Sequence, residues 1–205
     1  MLAPLPARND SVREPVTEIK TIAIVGASDL GRRIAYLSAL AGFRTILEDV
    51  SPSALEQGIT SIAHLLDEEM SSRKITPEQH SAALANLTTG NSAEDASREA
   101  DLIVETVSDE LEMKIELFIL FDKFAKPGAI LASTTTKLPI AELAAVTFCP
   151  EKCIGMRFYA DLQRLNRLDL AKTQDTSEDT IAACINVARR MGLEVSVEGE
   201  EKAQL

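Results

Sequence analysis

The stretch Thr21-Ile-Ala-Ile-Val25-Gly26-Ala-Ser-Asp-Leu-Gly31 decides how the rest of the chain is read. A β-branched, apolar run leads straight into a glycine, the pattern of a short strand buried on both faces. From about Asp29 to Ala41 the period becomes helical, with Leu30, Ile34, Leu37 and Leu40 on one face and Gly42 as the stop. A second strand, Arg44-Thr-Ile-Leu-Glu48, then ends at Asp49. Strand, glycine turn, helix, strand and a terminal carboxylate about 20 residues on form the dinucleotide-binding βαβ unit. Gly26 permits the tight turn and Gly31 the close packing of helix on strand. The helix N-terminus, with Ser28, Asp29 and Leu30, is expected to face a pyrophosphate. Asp49 is placed to accept hydrogen bonds from a ribose, which predicts NAD rather than NADP, whose 2′-phosphate it would repel. The fingerprint's middle glycine is replaced by Ser28. Its side chain narrows the approach to phosphate, although its hydroxyl can donate to one, and Asp29 adds like-charge repulsion.

Working outward, Pro52 and Pro77 each sit where a first helical turn welcomes proline. Pro52 to about Leu87 therefore reads as two helices split near Ser71 to Thr76. That is too long for one crossover and predicts an antiparallel pair projecting from the sheet after the second strand. Asp101-Leu-Ile-Val-Glu105 reads as a buried strand, with a helix from about Glu110 to Phe124 stopped by Lys126-Pro-Gly128. A strand at Ala129 to Ala132, a short helix at Ile140 to Val146 and a strand at Lys152 to Phe158 follow. A strand near Arg164 to Ala171, a helix from Ser177 to Met191 and a strand from Leu193 to Val197 complete the pattern. Continuous apolar strands alternating with amphipathic helices predict an α/β fold, a Rossmann-type doubly wound, mostly parallel sheet covered on both faces. The 205 residues suit one such domain. It is expected over residues 17–198, after a mobile N-terminal leader at 1–16 containing Pro4, Pro6 and Pro15, and before a polar tail at 199–205.

The net charge of −11 disfavours nucleic acid and anionic membrane surfaces, both of which call for Lys and Arg patches. No apolar run approaches the roughly 20 residues of a membrane span, and no secretory h-region is visible, so a cytoplasmic protein is expected. Cys149 and Cys153 have a loosely metal-like spacing. No second Cys or His pair accompanies them, so Cys153 reads as a small buried strand residue and no metal is expected.

Ile19 to about Val197 resembles the NAD-binding half of L-3-hydroxyacyl-CoA dehydrogenases, including 3-hydroxybutyryl-CoA dehydrogenases. The likeness is carried by Ile24-Val-Gly-Ala-Ser-Asp-Leu-Gly31, Leu47-Glu-Asp-Val-Ser51, Asp101-Leu-Ile-Val-Glu105 with Leu111-Glu-Met-Lys114, Ile130-Leu-Ala-Ser-Thr-Thr-Thr-Lys-Leu138 and Ile154-Gly-Met-Arg-Phe-Tyr159. The resemblance implies an NAD-dependent oxidoreductase of fatty acid metabolism. It adds Thr106, Asp109, Lys114 and Thr134 to the cofactor positions, and makes Thr136, Arg157 and Asp169 the positions of the family's catalysis. The catalytic positions are altered. The family's general-base His is Arg157, and the Glu that holds that His is Asp169. The Asn after the two aromatics is Ala160, and the substrate-facing Ser is Thr136. An arginine has no lone pair with which to accept the substrate's hydroxyl proton. Arg157 and Asp169 are expected to form a structural ion pair, or else Arg157 binds an anionic group of a ligand. Asp67-Glu68-Glu69 on the projecting pair would repel CoA phosphates, or is simply a solvated face. The family continues into a C-terminal helical domain, and no counterpart of it is expected after Val197.

Three functional readings follow. The first is a divergent NAD(H)-binding protein, a sensor, regulator or accessory subunit, unable to perform the family's hydride transfer. The second is an active NAD-dependent oxidoreductase on a different or 3-hydroxyacyl-type substrate. It would use Thr136, Lys137 or Tyr159, or residues of a partner chain. The third is an interaction module with a dead nucleotide site. A homodimer or a complex with another protein is expected in each case, because the surface that a helical domain would cover should be partly apolar.

Overall fold

The computed structural model describes residues 18–161 and 164–199; the expected leader and all of the tail beyond Gly199 lie outside them. The first unit is strand β1 (Thr21–Val25), helix α1 (Asp29–Leu40) and strand β2 (Arg44–Glu48). The helix pair is α2 (Pro52–Ser71) and α3 (Pro77–Asn86), each entered through a capping hydroxyl and a proline. Two elements that the sequence pattern does not show come next, strand β3 (Leu87–Thr89) and helix α4 (Ala93–Glu99). The chain continues as β4 (Leu102–Glu105), α5 (Leu111–Phe124), β5 (Ile130–Ser133), α6 (Ile140–Ala144), β6 (Cys153–Asp161), β7 (Arg164–Lys172), α7 (Glu178–Arg190) and β8 (Glu194–Gly199).

The sheet order is β3-β2-β1-β4-β5-β6-β7-β8. Strands β1 to β6 are parallel to one another. Strand β7 turns back antiparallel to β6, and β8 runs parallel to β7. From β1 the chain moves first to β2 on one side and later to β4 on the other. That reversal opens a crevice at the carboxyl ends of β1 and β4, where doubly wound sheets bind ligands.

Two cores sandwich the sheet. Ile22, Ile24, Leu47, Leu102 and Ile154 pack under α1, α2 and α7, while Val25, Ile46, Ile103 and Leu131 pack under α4, α5 and α6. The α2–α3 pair leans on α1 through Ile62 and Leu66 and through a 3.1 Å bond from Asn86 Nδ2 to Ala39 O. The acidic run on α2 is not one solvated face. Glu69 is buried, accepting from Tyr36 Oη and lying 3.7 Å from Lys74 Nζ. Asp67 pairs with His80 at 2.7 Å and Glu68 with His64 at 3.4 Å.

Candidate functional site

The glycine turn is shaped by what a side chain would strike. Gly26 has φ +113°, and a Cβ there would lie 2.7 Å from Thr106 Oγ1. At Gly31 a Cβ would lie 2.0 Å from Gly26 O. Only hydrogen fits at either place, so the first turn of α1 lies directly against the end of β1. Ala27 N donates to Asp49 Oδ2 at 2.7 Å and Ser51 N to Asp49 Oδ1 at 2.8 Å. These bonds fix the half-buried carboxylate beside the turn while leaving it lone pairs for another donor.

Ser28 faces inward. As the N-cap of α1 its hydroxyl accepts from Gly31 N at 3.1 Å and donates to Thr106 O at 3.2 Å. The expectation that this hydroxyl could serve a phosphate meets a hydroxyl already used, and the backbone amides at the helix start are what remain. Asp29, exposed, is paired with Arg33 Nε at 3.0 Å, which offsets the repulsion expected from it. Leu30 is half-buried against the core. Thr106 is buried and donates to Gly26 O at 2.7 Å, so it braces the turn from below.

On the opposite wall the sequence reading missed a network. Lys114 Nζ is fully enclosed and sits 2.6 and 2.8 Å from the two oxygens of Glu105, also fully enclosed. Glu105 accepts further from Val107 N at 2.6 Å and Ser133 Oγ at 2.6 Å. Lys114 also donates to Val107 O at 3.1 Å and lies 3.4 Å from Asp109 Oδ1. It therefore reaches the cleft only through exposed Asp109 and the Val107 backbone. The available signal was a glutamate closing an apolar strand, because such a carboxylate needs a buried cation or donors.

Beside Ser133 the chain turns through Thr134, Thr135 and Thr136. Thr134 N donates to Glu105 O at 3.0 Å, and Thr135 Oγ1 accepts from Lys137 N at 3.2 Å and Leu138 N at 3.0 Å. Thr136 is exposed on this turn.

Arg157 on β6 and Asp169 on β7 are register partners. The ion pair expected between them is not formed. Asp169 is buried and takes Ser196 Oγ at 2.6 Å and Arg167 Nη2 at 3.1 Å, while Arg157 Nε reaches the other way, to Thr135 O at 3.4 Å. Asp169 is instead satisfied by an adjacent-strand serine and a same-strand arginine, one on each carboxylate oxygen. Arg167 also lies 4.3 Å over the Tyr159 ring.

The three cysteines are free, and burial pushes the thiols of Cys153 and Cys184 up to about 12 and that of Cys149 still higher. Cys149 Sγ donates to Asp122 at 3.2 Å.

Residues 21–200 match the family model described as 3-hydroxyacyl-CoA dehydrogenase, NAD binding domain. The chain is 33% identical over 175 residues to a probable 3-hydroxybutyryl-CoA dehydrogenase of Bacillus subtilis (strain 168), covering 85% of this chain and 61% of that protein. It is 32% identical over 179 residues to a 3-hydroxybutyryl-CoA dehydrogenase of Bradyrhizobium diazoefficiens, covering 87% of this chain and 61% of that protein. The crystal structure of (S)-3-hydroxybutyryl-CoA dehydrogenase from Ralstonia eutropha superposes with a TM-score of 0.84 at 27% identity, over 89% of this chain and 64% of that one. The chain thus spans 61% of the length of these curated relatives.

Proposed function

The chain belongs to the 3-hydroxyacyl-CoA dehydrogenase family through its NAD-binding domain, with NAD as the cofactor; from that premise we propose that it binds NAD(H) without the family's base-assisted hydride exchange on 3-hydroxyacyl-CoA. The observation that carries this reading is Arg157, set opposite Asp169 in the β6–β7 register where the resemblance puts the general base. A guanidinium stays protonated at any working pH and offers no lone pair, so it cannot take a hydroxyl proton.

In this reading the turn from Gly26 to Gly31 and the amides opening α1 hold the pyrophosphate, and Asp49 accepts from a ribose hydroxyl. Bound NAD supplies a hydride acceptor, and NADH a donor. Thr106 keeps the turn in place. The Glu105–Lys114 pair sets the path of Val107 to Asp109, so that Asp109 presents its carboxylate at the cleft, and Thr134 lines the neighbouring edge.

A second reading is favoured by the relatives' names, since both curated relatives are called dehydrogenases. Here the chain is an active oxidoreductase whose proton is carried by Tyr159, Lys137 or a group of another chain. Association with a second copy or another protein belongs to either reading. It is supported by exposed apolar side chains such as Phe148 and Val50, and light scattering showing a clean monomer at high concentration would count against it. A cytoplasmic location is part of the same proposal; among the described residues no helix is long and apolar enough to cross a membrane.

The test is titration of NADH into the protein by calorimetry, followed by NADH oxidation with acetoacetyl-CoA. Binding with no oxidation supports the first reading. Oxidation would establish the second, and absence of binding at about millimolar NADH would sink both.

A further inference from the structure

We propose that Arg157, with the hydroxyls of Thr134 and Thr136, forms a receptor for the carboxylate of a small organic acid, so that the ligand at the substrate end of the cleft is a free acid and not a thioester. The proposal rests on the NAD reading for its location and on charge for its chemistry. Arg157 is half-buried. Of its five N–H donors, only that on Nε has an acceptor among the described residues, Thr135 O at 3.4 Å. The carboxylate across from it accepts from Ser196 and Arg167 and forms no ion pair with Arg157. The rest of the fork therefore has no acceptor among the described residues, and its Nε sits on the backbone of the turn that carries Thr134 and Thr136.

A half-desolvated guanidinium is stabilised by an anion that can meet two of its N–H groups at once. A planar carboxylate does this, while a neutral thioester carbonyl offers one acceptor and no charge. The neighbouring guanidinium, Arg167, is committed to Asp169 and to the Tyr159 ring. The planar fork of Arg157 matches a planar carboxylate, and inorganic phosphate is the competing anion that the titration tests.

The experiment is calorimetric titration of acetoacetate into the protein saturated with NADH, repeated with ethyl acetoacetate (the uncharged ester), inorganic phosphate and acetoacetyl-CoA. The expected result is that acetoacetate binds most tightly of the four. Arg157→Ala should weaken it at least tenfold while NADH affinity stays the same, and Arg157→Lys, which keeps the charge without the fork, should fall between. If Arg157→Ala does not fold, Arg157→Gln keeps the length and most of the packing. An acetoacetate affinity indifferent to both neutral variants overturns the proposal. So does tighter binding of the ester, the thioester or phosphate. If NADH fails to bind but acetoacetate still binds through Arg157, the cofactor reading fails and this one stands. NADH binding with no response to acetoacetate is the reverse.

Discussion

Lys114 and Glu105 form an ion pair with no solvent exposure on either side chain, Nζ lying 2.6 and 2.8 Å from the carboxylate oxygens. Each ion needs the other. Lys114→Met should destabilise the fold by about 3–5 kcal/mol, because Glu105 is left charged and enclosed. Adding Glu105→Gln should recover much of that loss, since Val107 N can still donate to the amide oxygen and the Ser133 hydroxyl can turn to accept from the amide NH2. Urea denaturation of the two variants checks this, and equal losses in both would show that the pair is not the source of the cost.

Glu48 gives the stability a dependence on pH. Burial, with the Asp49 charge adding to it, raises its carboxyl from about 4.5 to about 6. A raised carboxyl is protonated more readily in the folded state than in the unfolded one. Its contribution is therefore whole below about pH 4.5 and is lost as the pH rises through about 6. Glu48→Gln should stabilise the protein by about 1–2 kcal/mol near neutral pH and by nothing in the acid range. Denaturation curves of both proteins across that range decide it.

The two cofactor-turn glycines should behave unlike Gly192. Gly192 has φ +75° with nothing within 4 Å of an added Cβ, so Gly192→Ala costs only the backbone strain, about 1 kcal/mol. Gly31→Ala puts a methyl 2.0 Å from Gly26 O and should either unfold the first unit or push α1 off β1, abolishing NADH binding. A Gly31→Ala protein of wild-type stability and affinity would refute the packing described for this turn.

Asp49 should set the cofactor preference. With its oxygens fixed by Ala27 N and Ser51 N, it presents a charge that repels a 2′-phosphate. NADH should bind at least tenfold more tightly than NADPH, and Asp49→Ala should weaken NADH and narrow the gap. Paired titrations with the two nucleotides measure both effects.

The first βαβ unit was legible nearly residue by residue, because β1 and β2 are uninterrupted apolar runs punctuated by Gly26 and Asp49. Strand β3 was not legible. Leu87-Thr-Thr89 is three residues long and mostly exposed, and its place in the sheet comes from pairing with Thr45 to Leu47, which no local pattern announces. Helix α4 is a seven-residue stretch too short for a period to emerge. At the site, the positions of Arg157 and Asp169 could be read but their bonding could not. The residue that decides it, Ser196, lies two strands from β6 and carries no chemical signal of its own. The bonding of the Ser28 hydroxyl was equally hidden, since a capping hydroxyl and a phosphate-binding one look the same in sequence.

Thr106 N donates to Val25 O at 2.8 Å and the Thr106 hydroxyl to Gly26 O at 2.7 Å, tying the end of β4 to the end of β1. The neighbouring residue, Glu105, is locked in turn to Ser133 on β5. The two lips of the crevice are thereby hydrogen-bonded into one continuous surface, not left as a pair of independent loops. A ligand seated at one lip meets a surface already shaped for the other, with little ordering left to lose on binding.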